Sequence, residues 1–61
     1  MSSAARKRVL LVDDEPAVRF GVCDFLRGRG FEVEEAESCR AAEEAFRRSP
    51  PDLAIVDYSL P

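Results

Sequence analysis

A chain of 61 residues with a formal net charge of −3, two cysteines and no histidine is held to one small domain, burying about 60% of the surface that its unfolded form exposes. No apolar run approaches a membrane span and no secretory h-region follows Met1, so the reading is a cytoplasmic protein with reduced thiols and no membrane partner. The mild acidic balance lacks the electrostatic footprint of a nucleic-acid binder, and the missing histidine removes both imidazole acid–base catalysis and the commonest metal ligand.

Arg6, Lys7 and Arg8 form a basic run, expected to be a solvated terminus; residues 1–7 are assigned as a flexible tail and 8–61 as the domain. Val9-Leu10-Leu11-Val12 is a continuous apolar segment stopped by Asp13, Asp14, Glu15 and Pro16. Such a run predicts a strand buried on both faces. Pro16 suits the first turn of a helix, where its missing N–H costs nothing. Behind it Val18, Val22, Phe25 and Leu26 recur at helical spacing, with Arg19, Asp24, Arg27 and Arg29 on other faces. Gly28 and Gly30 supply the stop, with Gly30 as the left-handed cap.

Phe31-Glu32-Val33-Glu34 alternates with period two, which predicts an edge strand with one polar face. Ser38 is the expected N-cap of a second helix over roughly 39–48. Ala41, Ala42, Ala45 and Phe46 make its apolar stripe, while Glu43, Glu44, Arg47 and Arg48 face water. Ser49-Pro50-Pro51-Asp52 forces a loop. Leu53-Ala54-Ile55-Val56 is a second apolar strand and runs into Asp57. Cys23 and Cys39 fall on different helices, which argues against a disulfide between them.

The order βαβαβ implies an α/β fold with a parallel sheet and right-handed crossovers. Two apolar strands want the interior and the alternating strand an edge, which favours a three-stranded order 2-1-3 with one helix on each face. That order has a switch point between the first and third strands, and ligands bind there, beyond the carboxyl ends. Asp13, Asp14 and Asp57 fall at those two ends.

Carboxylates gathered in one crevice either take up protons or accept a cation. Magnesium is held by one or two carboxylates together with water and phosphate oxygens. An aspartate beside such an ion can also act as a nucleophile toward a phosphoryl group. The bland alternative is that each acid is a turn former or favours a helix N-terminus. No G-x-G-x-x-G or G-x-x-x-x-G-K-[ST] follows the first strand, which leaves dinucleotide and P-loop readings without support.

Val9-Leu10-Leu11-Val12-Asp13-Asp14-Glu15-Pro16, followed later by Asp52-Leu53-Ala54-Ile55-Val56-Asp57-Tyr58-Ser59-Leu60-Pro61, resembles the receiver domain of two-component response regulators. The resemblance runs from about Arg8 to Pro61. It implies half of a flavodoxin-like fold and a phosphoryl group taken from a sensor histidine kinase. By this likeness Asp57 is the phosphoacceptor, and Asp13, Asp14, Asp57 and the backbone carbonyl of Ser59 serve Mg2+, while Leu60 and Pro61 shape the loop. A receiver normally continues for two further βα units carrying a hydroxyl residue and a lysine, which have no counterpart here. The expectation is therefore a half-domain with impaired phosphate stabilisation and readout, not an enzyme in its own right.

The third strand would then expose an apolar edge, and exposed edges pair with other chains. A homodimer is expected on that ground. The rival reading is a self-associating structural unit whose acidic site is vestigial. A haloacid-dehalogenase-like phosphatase is a third, but it wants a D-x-D pattern where this chain has Asp13-Asp14-Glu15-Pro16.

Overall fold

The computed structural model describes residues 6–57. The expectations placed on Tyr58, Ser59, Leu60 and Pro61 lie outside the described residues. Five elements follow one another: β1 (Arg8–Asp13), α1 (Pro16–Gly28), β2 (Glu32–Ala36), α2 (Cys39–Arg48) and β3 (Leu53–Asp57). The strands form one parallel sheet in the order β2-β1-β3, as the contrast between apolar and alternating strands predicts.

β1 is the centre of the molecule. Val9, Leu10, Leu11 and Val12 are each 1–3% exposed, and burying each side chain stabilises the fold by about 1.5–3 kcal/mol. Successive residues of a strand point to opposite faces, and the two faces are closed differently. Leu10 and Val12 pack with Ala36 and Ala45, with Ala41 and Ala42 partly buried against them, so α2 covers that face. α1 covers the other, where Cys23 is fully buried. Both helices lie over β1 and β2, and among the described residues neither packs on β3.

The helix ends form as their residues dictate. Pro16 opens α1 behind Glu15. At its far end Phe31 N–H donates to the Leu26 carbonyl at 3.2 Å and Gly30 N–H to that of Arg27 at 3.0 Å. This nested pair is the Schellman closure, which needs a left-handed residue, and Gly30 supplies it at φ +93°. Ser38 caps α2, its hydroxyl accepting the Ala41 N–H at 3.1 Å.

The structure corrects four details. β2 begins at Glu32 and ends at Ala36, because Phe31 is spent on closing α1. Its polar residues do not share one solvated face: Glu34 pairs with Arg48 of α2 and Glu35 with Arg19 and Arg27 of α1. Arg8 is no part of a solvated tail. Its N–H donates to the Asp52 carboxylate at 2.8 Å, and its guanidinium donates to the Ser49 and Pro50 carbonyls at 3.1 and 3.2 Å. Finally, the face of α1 laid on the sheet centres on Cys23, whereas Val18 and Phe25 are exposed.

Candidate functional site at the acidic end of the sheet

β1 and β3 run parallel in a register that sets Val9 beside Leu53 and, at the carboxyl end, Asp13 beside Asp57. Neighbouring strands lie about 4.8 Å apart, so the two aspartates are side by side by construction. Asp14 follows in the turn that leads to Pro16. Sequence order alone keeps Asp13 and Asp57 far apart; the crossover through α1, β2 and α2 brings them together.

The acids differ in setting. Asp13 is buried at 4% exposure, while Asp14 and Asp57 are exposed. One Asp13 oxygen, Oδ1, accepts the Glu15 N–H at 3.0 Å. The turn-forming role of an aspartate after a strand is thus real here, and it uses one of the two carboxylate oxygens. The main-chain carbonyl of Asp13 accepts from the Arg19 guanidinium at 2.8 Å. Every ion pair among the described residues uses a glutamate of β2, namely Glu32, Glu34 or Glu35. None of them takes Asp13, Asp14 or Asp57.

Arg8, Arg19, Arg27 and Arg48 are thus paired with glutamates of β2, and the carboxylates of Asp13, Asp14 and Asp57 have no ion-pair partner among the described residues. Oxygen donors of this kind suit a hard divalent ion. The described residues contain no group of three or more acidic, cysteine or histidine side chains already placed to hold a metal. Magnesium does not require one, since water and phosphate oxygens complete its shell. The donor set therefore fits that ion, with Ser59 outside the described residues.

Arg19 is the neighbour of the acidic end that the helical-spacing argument missed. A usable signal existed: Arg19, Cys23 and Arg27 follow at i, i+4 and i+8 and share one face of α1. On that face Glu35 binds both arginines. Burial pushes the Cys23 thiol above its usual pKa, and the nearby charge of Glu35 and a hydrogen bond to it push the same way.

A family model of the response regulator receiver domain matches residues 9–61. The chain belongs to that family. Curated relatives agree: it is 38% identical over 55 residues to the phosphate regulon transcriptional regulatory protein PhoB of Escherichia coli (strain K12), covering 90% of this chain and 24% of that protein. It is 40% identical over 55 residues to the chemotaxis protein CheY of Bacillus subtilis (strain 168), covering 88% of this chain and 46% of the relative. It is 37% identical over 60 residues to the transcriptional regulatory protein PdtaR of Mycobacterium tuberculosis (strain ATCC 25618 / H37Rv), covering 97% and 29%. The receiver sequence thus spans about a quarter to a half of the length of these relatives. The β2-β1-β3 sheet with its two helices is the corresponding part of a flavodoxin-like receiver fold. No helix among the described residues is long and apolar enough to cross a membrane.

Proposed function

We propose that this receiver segment carries the phosphoacceptor of a two-component system, with Asp57 taking a phosphoryl group from the phosphohistidine of a sensor kinase. The observation that carries the reading is the register of β1 on β3, in which Asp13 and Asp57 are neighbours at the carboxyl end of the sheet. In the transfer, an Asp57 carboxylate oxygen forms a bond to phosphorus as the phosphorus–nitrogen bond to the donor breaks. The electron pair of that bond stays with the donor imidazole, which takes a proton from solvent.

Asp13, Asp14, Asp57 and the Ser59 carbonyl would hold Mg2+. When bound, that ion offsets negative charge on the attacking carboxylate and on the group in transit. The protein's own part is positional. The buried apolar run of β1 fixes Asp13, and the ladder to β3 brings Asp57 beside it, so the two acids are neighbours before the donor arrives. Exposure of Asp57 leaves the acceptor open to a donor side chain.

The test is intact-mass spectrometry after incubation with magnesium and a small-molecule phosphodonor, with Asp57→Asn alongside. A phosphate adduct on the parent and none on the variant is the expected outcome. An equal adduct on both would overturn the assignment of Asp57.

A second reading rests on a different observation. Among the described residues β3 is paired on one side only, and its Leu53 and Val56 are 54% and 58% exposed. Beside it a mainly apolar groove of about 260 Å³ lies between α2 and β3, with Phe46, Ala54 and Val56 in its wall and Glu43 and Cys39 also lining it. Self-association of the 61-residue chain through this strand, as a homodimer, is the behaviour such an edge favours. Sedimentation velocity showing a folded monomer at high concentration would contradict it.

A further inference from the structure

We infer that Arg19 is a positioning residue for the acidic site, holding the β1–α1 turn so that the Asp13 and Asp14 carboxylates face the acceptor strand; the inference deepens the receiver reading and rests on it. The side chain is 17% exposed, unusual for an arginine on a helix so short of cover. Its Nη1 donates to the Asp13 carbonyl at 2.8 Å, and its Nε donates to Glu35 Oε1 at 3.3 Å. The guanidinium is thus gripped from two strands at once, by the backbone of β1 and by a side chain of β2.

Glu35 is itself held. Its Oε2 accepts from Arg27 Nη2 at 3.4 Å, and the same nitrogen donates to the Val33 carbonyl at 2.9 Å. The Arg19 fork therefore arrives at Asp13 pre-oriented, and charge-assisted bonds of this kind are stronger than neutral ones. Because Asp13 is buried, its carbonyl needs a partner, and Arg19 supplies one.

The contacts bracket the turn. Asp13 Oδ1 holds the Glu15 N–H, the Asp13 carbonyl holds the Arg19 side chain, and the Arg19 N–H returns to the Glu15 carbonyl at 2.9 Å. Both acids of the pair emerge from this small closed unit. Removing the guanidinium frees the Asp13 carbonyl while leaving the β1 core untouched, so the turn loosens before the sheet does.

The experiment compares the parent with Arg19→Met and Arg19→Lys by NMR, using two readouts. Amide exchange at Glu15 reports the cap made by Asp13 Oδ1 without any ligand. Arg19→Met is expected to speed it by about tenfold relative to the Leu10 and Leu11 amides, a local opening and not a global one. Titration with magnesium chloride alone, followed at the Asp13 and Asp14 amides, is expected to show about tenfold weaker binding, the low end for loss of an outer-shell partner. Arg19→Lys, whose ammonium still reaches a carbonyl but cannot also bridge to Glu35, should recover part of both. Unchanged relative exchange at Glu15 in Arg19→Met overturns the inference, as does acceleration shared equally by Leu10 and Leu11. A parent that shows no response to magnesium counts instead against the metal site of the proposed function, and the exchange readout still decides the role of Arg19.

Discussion

β1 and β3 are both short apolar strands ending in aspartate, yet they are held in opposite ways. β1 lies between two strands and two helices, and its apolar residues are buried throughout. β3 lies against β1 alone, without a helix over it among the described residues, and most of its side chains are exposed. Asp13 therefore ends the more buried strand and Asp57 the more exposed one.

The contrast sets the scale of expected mutational effects. Leu11→Ala empties a site 1% exposed and should cost about 2–5 kcal/mol. Leu53→Ala, at 54% exposure, should fall within about 0.5 kcal/mol, the ordinary range for surface positions. Urea unfolding of the two variants measures the gap directly. Similar losses would mean that β3 is covered and that the asymmetry is false.

Turn and cap positions come next. Gly30→Ala forces a Cβ into φ +93°, where L residues pay about 1–2 kcal/mol. No atom crowds the added methyl, so the cost should come from the backbone alone, and Gly30→Asn should recover part of it. Ser38→Ala should lose about 1 kcal/mol by stripping the Ala41 N–H of its acceptor. Thermal melts of the three variants check the order.

Cys23 sharpens the comparison through pH. Its pKa is raised in the fold by burial and by Glu35. The folded state then holds the thiol proton more tightly than the unfolded state does. This contribution to stability is full below the unfolded thiol pKa, about 8.5, and is lost as pH rises toward the folded value. Cys23→Ala should flatten that alkaline decline relative to the parent in unfolding measured from pH 7 upward. An unchanged slope would place the thiol outside the α1 face of the core.

A small, salt-dependent effect is expected at Arg48, whose partner Glu34 sits at the outer edge of β2. Exposed ion pairs contribute about 0.2–1 kcal/mol and are screened by salt. The difference between Arg48→Ala and the parent should therefore shrink in high salt.

Much of this was readable in the chain. Two apolar runs against one alternating run are enough to order the sheet, and Ser38, Gly30 and Pro16 mark helix ends through their own chemistry. The strand-end positions of Asp13 and Asp57 follow from the same runs. What was not readable was the destination of long side chains. Helical spacing assigns Arg19 to a face, but not the way that face is turned toward the sheet, so its bond to the Asp13 carbonyl was hidden. The same ambiguity let Val18 and Phe25 pass for core when Cys23 holds that place. Glu35 was missed because the alternation was ended at Glu34, one residue short of it.

The most direct test of the central claim is to locate the modified residue. Borohydride reduces an aspartyl phosphate to homoserine, and proteolysis with mass spectrometry then assigns its position. Homoserine at position 57, formed only when magnesium and phosphodonor are both present, is the expected result. Homoserine at Asp13 or Asp14, or formation at Asp57 independent of magnesium, would contradict the division between an acidic pair and an acceptor.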